Sequence, residues 1–218
     1  MKAQIPFFLL SVILTFTSCT KQLISGNGSI STETREINNF TAITASGNTS
    51  IYINQGPAFS VTVKGSANLL PFYETKLVNN ILHLGYSENV RIKNDNTEVF
   101  ITLPVLNGLT LIGSGTITTN GAFNGNTDFN VLVSGSGTIR FSSGTTRNFF
   151  SKTEGSGNIY MLNMSAINAE ATITGSGNTE ITATSQLKVK INGSGNLYYR
   201  GSPVLTTSIT GSGTVLPR

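Results

Sequence analysis

The side chains that could carry chemistry are few. Cys19 is the only cysteine and His83 the only histidine, which excludes a multi-histidine metal site and leaves no plausible cysteine–histidine nucleophile. Cys19 ends an apolar leader, and His83 lies in the alternating run Ile81-Leu82-His83-Leu84, where a polar residue on the outer face of a strand is the simplest reading. Asp95 and Asp128 are far apart in sequence, and Glu154, Glu170 and Glu180 are scattered. Glycoside hydrolysis needs a carboxylate pair, and carboxylates one coil apart in a repetitive fold could supply one; single solvated charges are the reading adopted. The tripeptide Gly-Ser-Gly recurs, but never with the Lys-Ser/Thr of a phosphate-binding loop, nor with the aspartate of calcium-binding nonapeptide repeats. No cofactor, no metal and no catalytic residue is expected.

Aromatic residues offer more. Phe72-Tyr73, Phe149-Phe150 and Tyr198-Tyr199 are adjacent pairs, and neighbours in a strand point to opposite faces, so one ring of each pair is directed outward. An outward tyrosine is a good anchor for a protein surface or a sugar. Tyr160, Tyr198 and Tyr199 form the candidate binding surface.

The elements that must position these residues follow from a repeat. Gly-Ser-Gly occurs at Gly113, Gly135, Gly155, Gly175, Gly193 and Gly211, at intervals of 22, 20, 20, 18 and 18 residues, each followed by Thr or Asn. Short alternating runs flank each copy, as in Leu109-Thr110-Leu111-Ile112 before and Thr116-Ile117-Thr118 after, the pattern of half-buried strands. Glycine suits the bend because it takes positive φ and lets a neighbouring backbone approach closely. Such a period fits one coil of a parallel β-solenoid, or β-helix. With layers about 4.8 Å apart, the serines and the Thr/Asn positions would form hydrogen-bonding columns. An antiparallel sandwich or barrel competes, but the recurring unit spans a coil rather than a hairpin.

Residues 105–218 are therefore read as a regular solenoid. Residues 30–104 lack the beat apart from a degenerate copy at Ala45-Ser46-Gly47-Asn48, and are read as an irregular continuation of the stack that caps it. A turn or two around residues 67–74 is the best helical candidate.

The first 18 residues read as a signal peptide: Lys2, then a mostly apolar, uncharged run from Ile5 to Phe16, too short for a spanning helix of roughly 20 residues. Phe16-Thr17-Ser18-Cys19 resembles a lipobox, which makes Cys19 a lipid anchor, and residues 19–29 read as a tether. Removing residues 1–18 takes away Lys2 and changes 14 basic against 10 acidic residues to 13 against 10. That weak, scattered charge makes nucleic acid an unsuitable partner. Charged residues are 11% of the chain, against about 25% in ordinary domains, so hydroxyls and amides cover the surface.

Several segments carry a family resemblance: Arg35-Glu36-Ile37-Asn38-Asn39-Phe40, Ile51-Tyr52-Ile53-Asn54-Gln55-Gly56, Val61-Thr62-Val63-Lys64-Gly65, Asn68-Leu69-Leu70-Pro71 and Glu74-Thr75, followed by the Gly-Ser-Gly repeats. In this order they resemble the putative auto-transporter adhesin, head GIN domain family, over residues 30–215. The resemblance implies a right-handed β-solenoid and an export signal, often of the lipoprotein type, and assigns no catalytic residue. The expectation is an exported cell-envelope lipoprotein, on an unresolved face of the outer membrane, that binds glycan or protein without catalysis. The alternatives are an envelope enzyme acting on polysaccharide and a self-assembling scaffold, the last because Val215 and Leu216 need cover and would favour a homo-oligomer.

Overall fold

The computed structural model describes residues 21–218; the signal peptide and Cys19 lie outside the described residues. Alternating sequence becomes alternating burial. Along residues 170–175, Ala171 and Ile173 are buried and Glu170 and Thr174 are exposed, the period of two that a strand imposes. Because each repeat places the same polarity at the same position, every strand can lie in register on the equivalent strand of the next repeat.

On the first face, residues 108–113 pair in parallel with 130–135, these with 150–155, then 170–175, 188–193 and 206–210. On the second, Thr116–Asn120 leads through 138–140, 158–160 and 179–182 to Leu197–Arg200 and Val215–Pro217. Residues 122–129, 143–149 and 162–168 form a third, return face. These parallel coils make a β-solenoid of about six turns. Its apolar core is continuous and includes the ring-to-ring contacts of Phe129 with Phe141 (5.2 Å) and Phe149 (6.4 Å).

Gly-Ser-Gly is where the first face turns into the second. Gly155 has φ +106°, and the Gly135 carbonyl beneath it accepts both Ser156 N–H and Gly157 N–H at 2.9 Å. A Cβ on Gly155 would lie 2.6 Å from that carbonyl oxygen. Only glycine meets both the dihedral and the close approach. The Thr/Asn column forms the expected ladder: Asn158 Oδ1 accepts Asn178 N–H (3.0 Å), Asn178 Oδ1 accepts Asn196 N–H (3.1 Å), and Asn196 Oδ1 accepts Thr214 N–H (3.1 Å). Within the serine column, Ser212 donates to Ser194 at 3.0 Å. The short hydroxyls face water, whereas an asparagine amide reaches the next backbone.

The head departs from a simple continuation. Ala42–Gly47 pairs with Ile81–Tyr86 on one side and Gly108–Gly113 on the other. Ser50–Gln55 pairs likewise with Glu98–Leu103 and Thr116–Asn120. The coil laid down first thus lies between the coil of residues 81–103 and that of residues 108–120, and stack order is not chain order. Antiparallel strands close the end: Ile30–Thr34 on Ser60–Ser66, Ser60–Ser66 on Glu98–Leu103, and Tyr73–Val78 on Ile81–Tyr86. Asn79 and Asn80, both at positive φ (50° and 61°), make the last pair a hairpin of the primed type. The helical candidate is a single 3₁₀ turn, Leu70–Phe72. Within the stretch read as a tether, Gln22–Ser25 pairs in parallel with Val90–Lys93 and Gly26 N–H donates to Lys93 O at 2.9 Å. Among the described residues no helix is long and apolar enough to cross a membrane.

The threading of the head can be tested by disulfide trapping. Thr44 is in register with both His83 and Thr110, and adjacent strands about 4.8 Å apart suit the Cα separation of a disulfide. With Cys19 replaced, Thr44→Cys with Thr110→Cys should cross-link, and His83→Cys with Thr110→Cys, about 10 Å apart across two layers, should not. The reverse pattern would mean stacking in chain order.

Candidate functional site

Uniform stacking turns each outward position of the repeat into a column, and two columns carry the side chains with binding potential. The first follows the register Ile81, Ala42, Gly108, Asn130, Phe150, Glu170, Lys188, Thr206 on the first face. Small residues at 42 and 108, between larger ones, leave a depression. It forms a groove of about 510 Å³ lined by Ala42, Gly108, Leu132, Phe150, Lys152 and Glu170. A neighbouring depression of about 370 Å³ shares Phe150 and Glu170 and continues past Asn148 and Asn168 to Lys188 and Val204. From the layer of Ile81 to that of Thr206 the groove spans roughly 34 Å of axis. Phe150 stands at its middle, 42% exposed, while its neighbour Phe149 is buried at 1%, as adjacent residues of a strand require.

The rim of this groove is polar and ordered. Lys188 pairs with Glu170 at 3.1 Å and Lys152 with Glu154 at 2.6 Å. Asn148 Nδ2 donates to Asp128 Oδ1 (2.8 Å) and Asn168 Nδ2 to Asn148 Oδ1 (3.2 Å), an amide ladder at the groove's edge. An apolar ring flanked by amides and paired charges can hold an extended ligand with one apolar and one hydrogen-bonding side.

The second column lies five residues after the first glycine of each repeat. Through coils bearing Thr118, Arg140, Tyr160, Glu180, Tyr198 and Leu216 it follows Phe100 and Tyr52 of the head. Its members stack on one another: Tyr52 lies on Phe100 at 5.2 Å, the Arg140 guanidinium lies 4.5 Å from the Tyr160 ring centre, and that of Arg218 lies 5.8 Å from Tyr198. Tyr160 and Tyr198 are directed outward and half-buried, each with an arginine over its ring. Tyr199 does not share this surface. It packs against the core, because its neighbour Tyr198 takes the outward side.

The carboxylates do not form a pair. Glu170 lies on the groove column, Glu154 on another column of the first face, and Glu180 on the second face. Each is tied to a cation, Glu180 to Arg218. Among the described residues no group of three or more His, Cys, Asp or Glu side chains could hold a metal. His83 points outward between buried Leu82 and Leu84. Asp95 serves the head: its Oδ1 accepts the Tyr86 hydroxyl (2.7 Å) and Thr97 N–H (3.0 Å). The Tyr73 and Tyr86 rings meet at right angles with their centres 5.0 Å apart. Burial pushes both phenols well above the usual tyrosine range, so both stay neutral, and the Tyr86 hydroxyl donates to Asp95 to fasten the cap.

Sequence reasoning named the tyrosines and passed over the groove. Two signals were available. Phe149-Phe150 required one outward ring, and aligning the repeats puts Gly108 where later copies carry Asn130, Phe150, Glu170 and Lys188.

The fold has known counterparts. The structure of a putative adhesin from Bacteroides fragilis superposes with a TM-score of 0.75 at 22% identity, covering 89% of this chain and all of that one. A putative lipid binding protein from Parabacteroides distasonis superposes at 0.56 with 22% identity, covering 90% of this chain and 100% of its own. A putative adhesin from Parabacteroides merdae does so at 0.56 with 21% identity, covering 90% and 99%. Among curated proteins no significant match is found. The family profile described as putative auto-transporter adhesin, head GIN domain, matches residues 39–203. By that match, spanning most of the solenoid and its head, the chain belongs to the putative auto-transporter adhesin, head GIN domain family.

Proposed function

We propose that this protein is a non-enzymatic binding or adhesion module of the cell envelope, held at a membrane by lipid on Cys19, and that it engages an extended glycan or protein along the groove on the first face. The observation that carries this reading is the long groove centred on the exposed Phe150 and edged by amides and ion pairs. A solenoid suits the task because its parallel layers form a rigid surface with a fixed axial repeat. A ligand that itself repeats along its length can make the same contact in successive layers.

Supporting the non-enzymatic reading, each of Glu154, Glu170 and Glu180 is neutralised by its own cation and stands on a separate column. The descriptions of structural relatives as adhesins and a lipid binding protein favour binding over turnover. The test is capture: residues 20–218 immobilised and exposed to glycan arrays and to solubilised envelope fractions should retain a defined glycan or protein. Retention of nothing would remove the reading's main support.

A further inference from the structure

We infer that the second face carries a separate site for an acidic glycan, built on Arg140 and Arg200 around Tyr160. These residues line a depression of about 280 Å³ with Asn163 and Glu180. Arg140 and Arg200 are exposed, and neither has an ion-pair partner among the described residues, whereas the Glu180 carboxylate in the same depression is held by Arg218. Three arginines against one glutamate leave the cluster with about two positive charges in excess. That excess stands out on a surface otherwise covered by hydroxyls and amides.

The arrangement of Arg140 identifies the ligand further. Its guanidinium lies 4.5 Å from the centre of the Tyr160 ring, a cation–π contact that restrains the side chain before any ligand arrives. A planar fork of this kind matches a carboxylate with two parallel hydrogen bonds, and holding it in advance lowers the cost of binding. Arg200 is three layers along the stack from Arg140 by register, roughly 14 Å of axis. Cations so spaced suit acidic groups that recur along a chain better than a single phosphate. The Tyr160 hydroxyl and the Asn163 amide add partners for sugar hydroxyls, and Phe141 and Leu162 are the only aliphatic or phenyl side chains in the lining, too small an apolar patch to seat an acyl chain. A uronic-acid polymer meets these requirements.

This site is independent of the groove on the first face. Calorimetric titration of the purified protein with oligogalacturonate should give saturable binding, with a neutral galacto-oligosaccharide of equal length at least tenfold weaker. Arg140→Gln with Arg200→Gln should weaken oligogalacturonate at least tenfold at unchanged melting temperature, and Tyr160→Phe should have little effect on the charge-dependent part. Arg91→Gln with Lys93→Gln, which removes equal charge from exposed positions of the head outside both sites, should leave it unchanged. Equal loss from both double variants would reduce the effect to net charge and overturn the assignment, as would equal affinity for the neutral sugar. Single-stranded DNA binding as tightly as oligogalacturonate would replace the glycan by polyanions in general.

Discussion

Gly155→Ala should destabilise the solenoid by about 3 kcal/mol or more. A non-glycine residue in the left-handed region costs about 1–2 kcal/mol, and here φ is +106°. The added Cβ would also sit 2.6 Å from the Gly135 carbonyl oxygen, the acceptor of two interlayer hydrogen bonds, each worth about 1 kcal/mol. Relief requires moving one layer off the next, which weakens those bonds. The neighbouring Ser156→Ala, an exposed side chain whose backbone keeps its bond, should change stability by no more than about 0.5 kcal/mol. Urea unfolding followed by circular dichroism compares the two. Equal midpoints would mean that the bends are not held by close glycine stacking.

Cys19→Ala should move the protein from the membrane to the soluble fraction. The proposed anchor is the acylated cysteine, and stable attachment takes two or more acyl chains; nothing among the described residues offers a spanning helix instead. Fractionation with and without the substitution, together with mass measurement of the mature N-terminus, tests this. Membrane association that survives the loss of Cys19 would refute the anchor.

The regular part of the fold was legible in the sequence because a solenoid writes each layer in the same code. Gly113 to Gly211 mark the corners, and the alternation around them marks the inner face. The head was less legible for a physical reason. Local patterning identifies the strands Ala42–Gly47 and Ile81–Tyr86 but carries no information on which of them lies next to Gly108–Gly113; that order is a long-range choice made by packing. The closing hairpin could have been read from Asn79-Asn80 between two alternating runs, since asparagine tolerates positive φ. The parallel strand Gln22–Ser25 was hidden by its shortness, since its two apolar residues, Leu23 and Ile24, are adjacent and show no alternation.

For the candidate site, period-two alternation accounts for buried Phe149 beside exposed Phe150, but it does not apply to Phe72-Tyr73, where Phe72 belongs to the 3₁₀ turn, and it could not tell which of Tyr198 and Tyr199 would face outward. The repeat phase decides it, because Tyr198 is at the same offset as Tyr160 and Arg140. Nor could residue type alone show that Tyr160 and Tyr198 face arginines, a consequence of stacking one repeat on another. The groove arises from a small residue, Gly108, within a column of larger ones, and a depression of that kind emerges only when the layers are superimposed.

The most direct measurement of the central claim compares the wild-type protein with Phe150→Ala in binding to the glycan or protein captured from the envelope. Phe150 is 42% exposed, so its loss should scarcely alter the melting temperature. Removing the groove's aromatic anchor should weaken binding roughly tenfold or more, about 1.4 kcal/mol per tenfold. Unchanged affinity in a folded Phe150→Ala variant would contradict the groove as the binding surface.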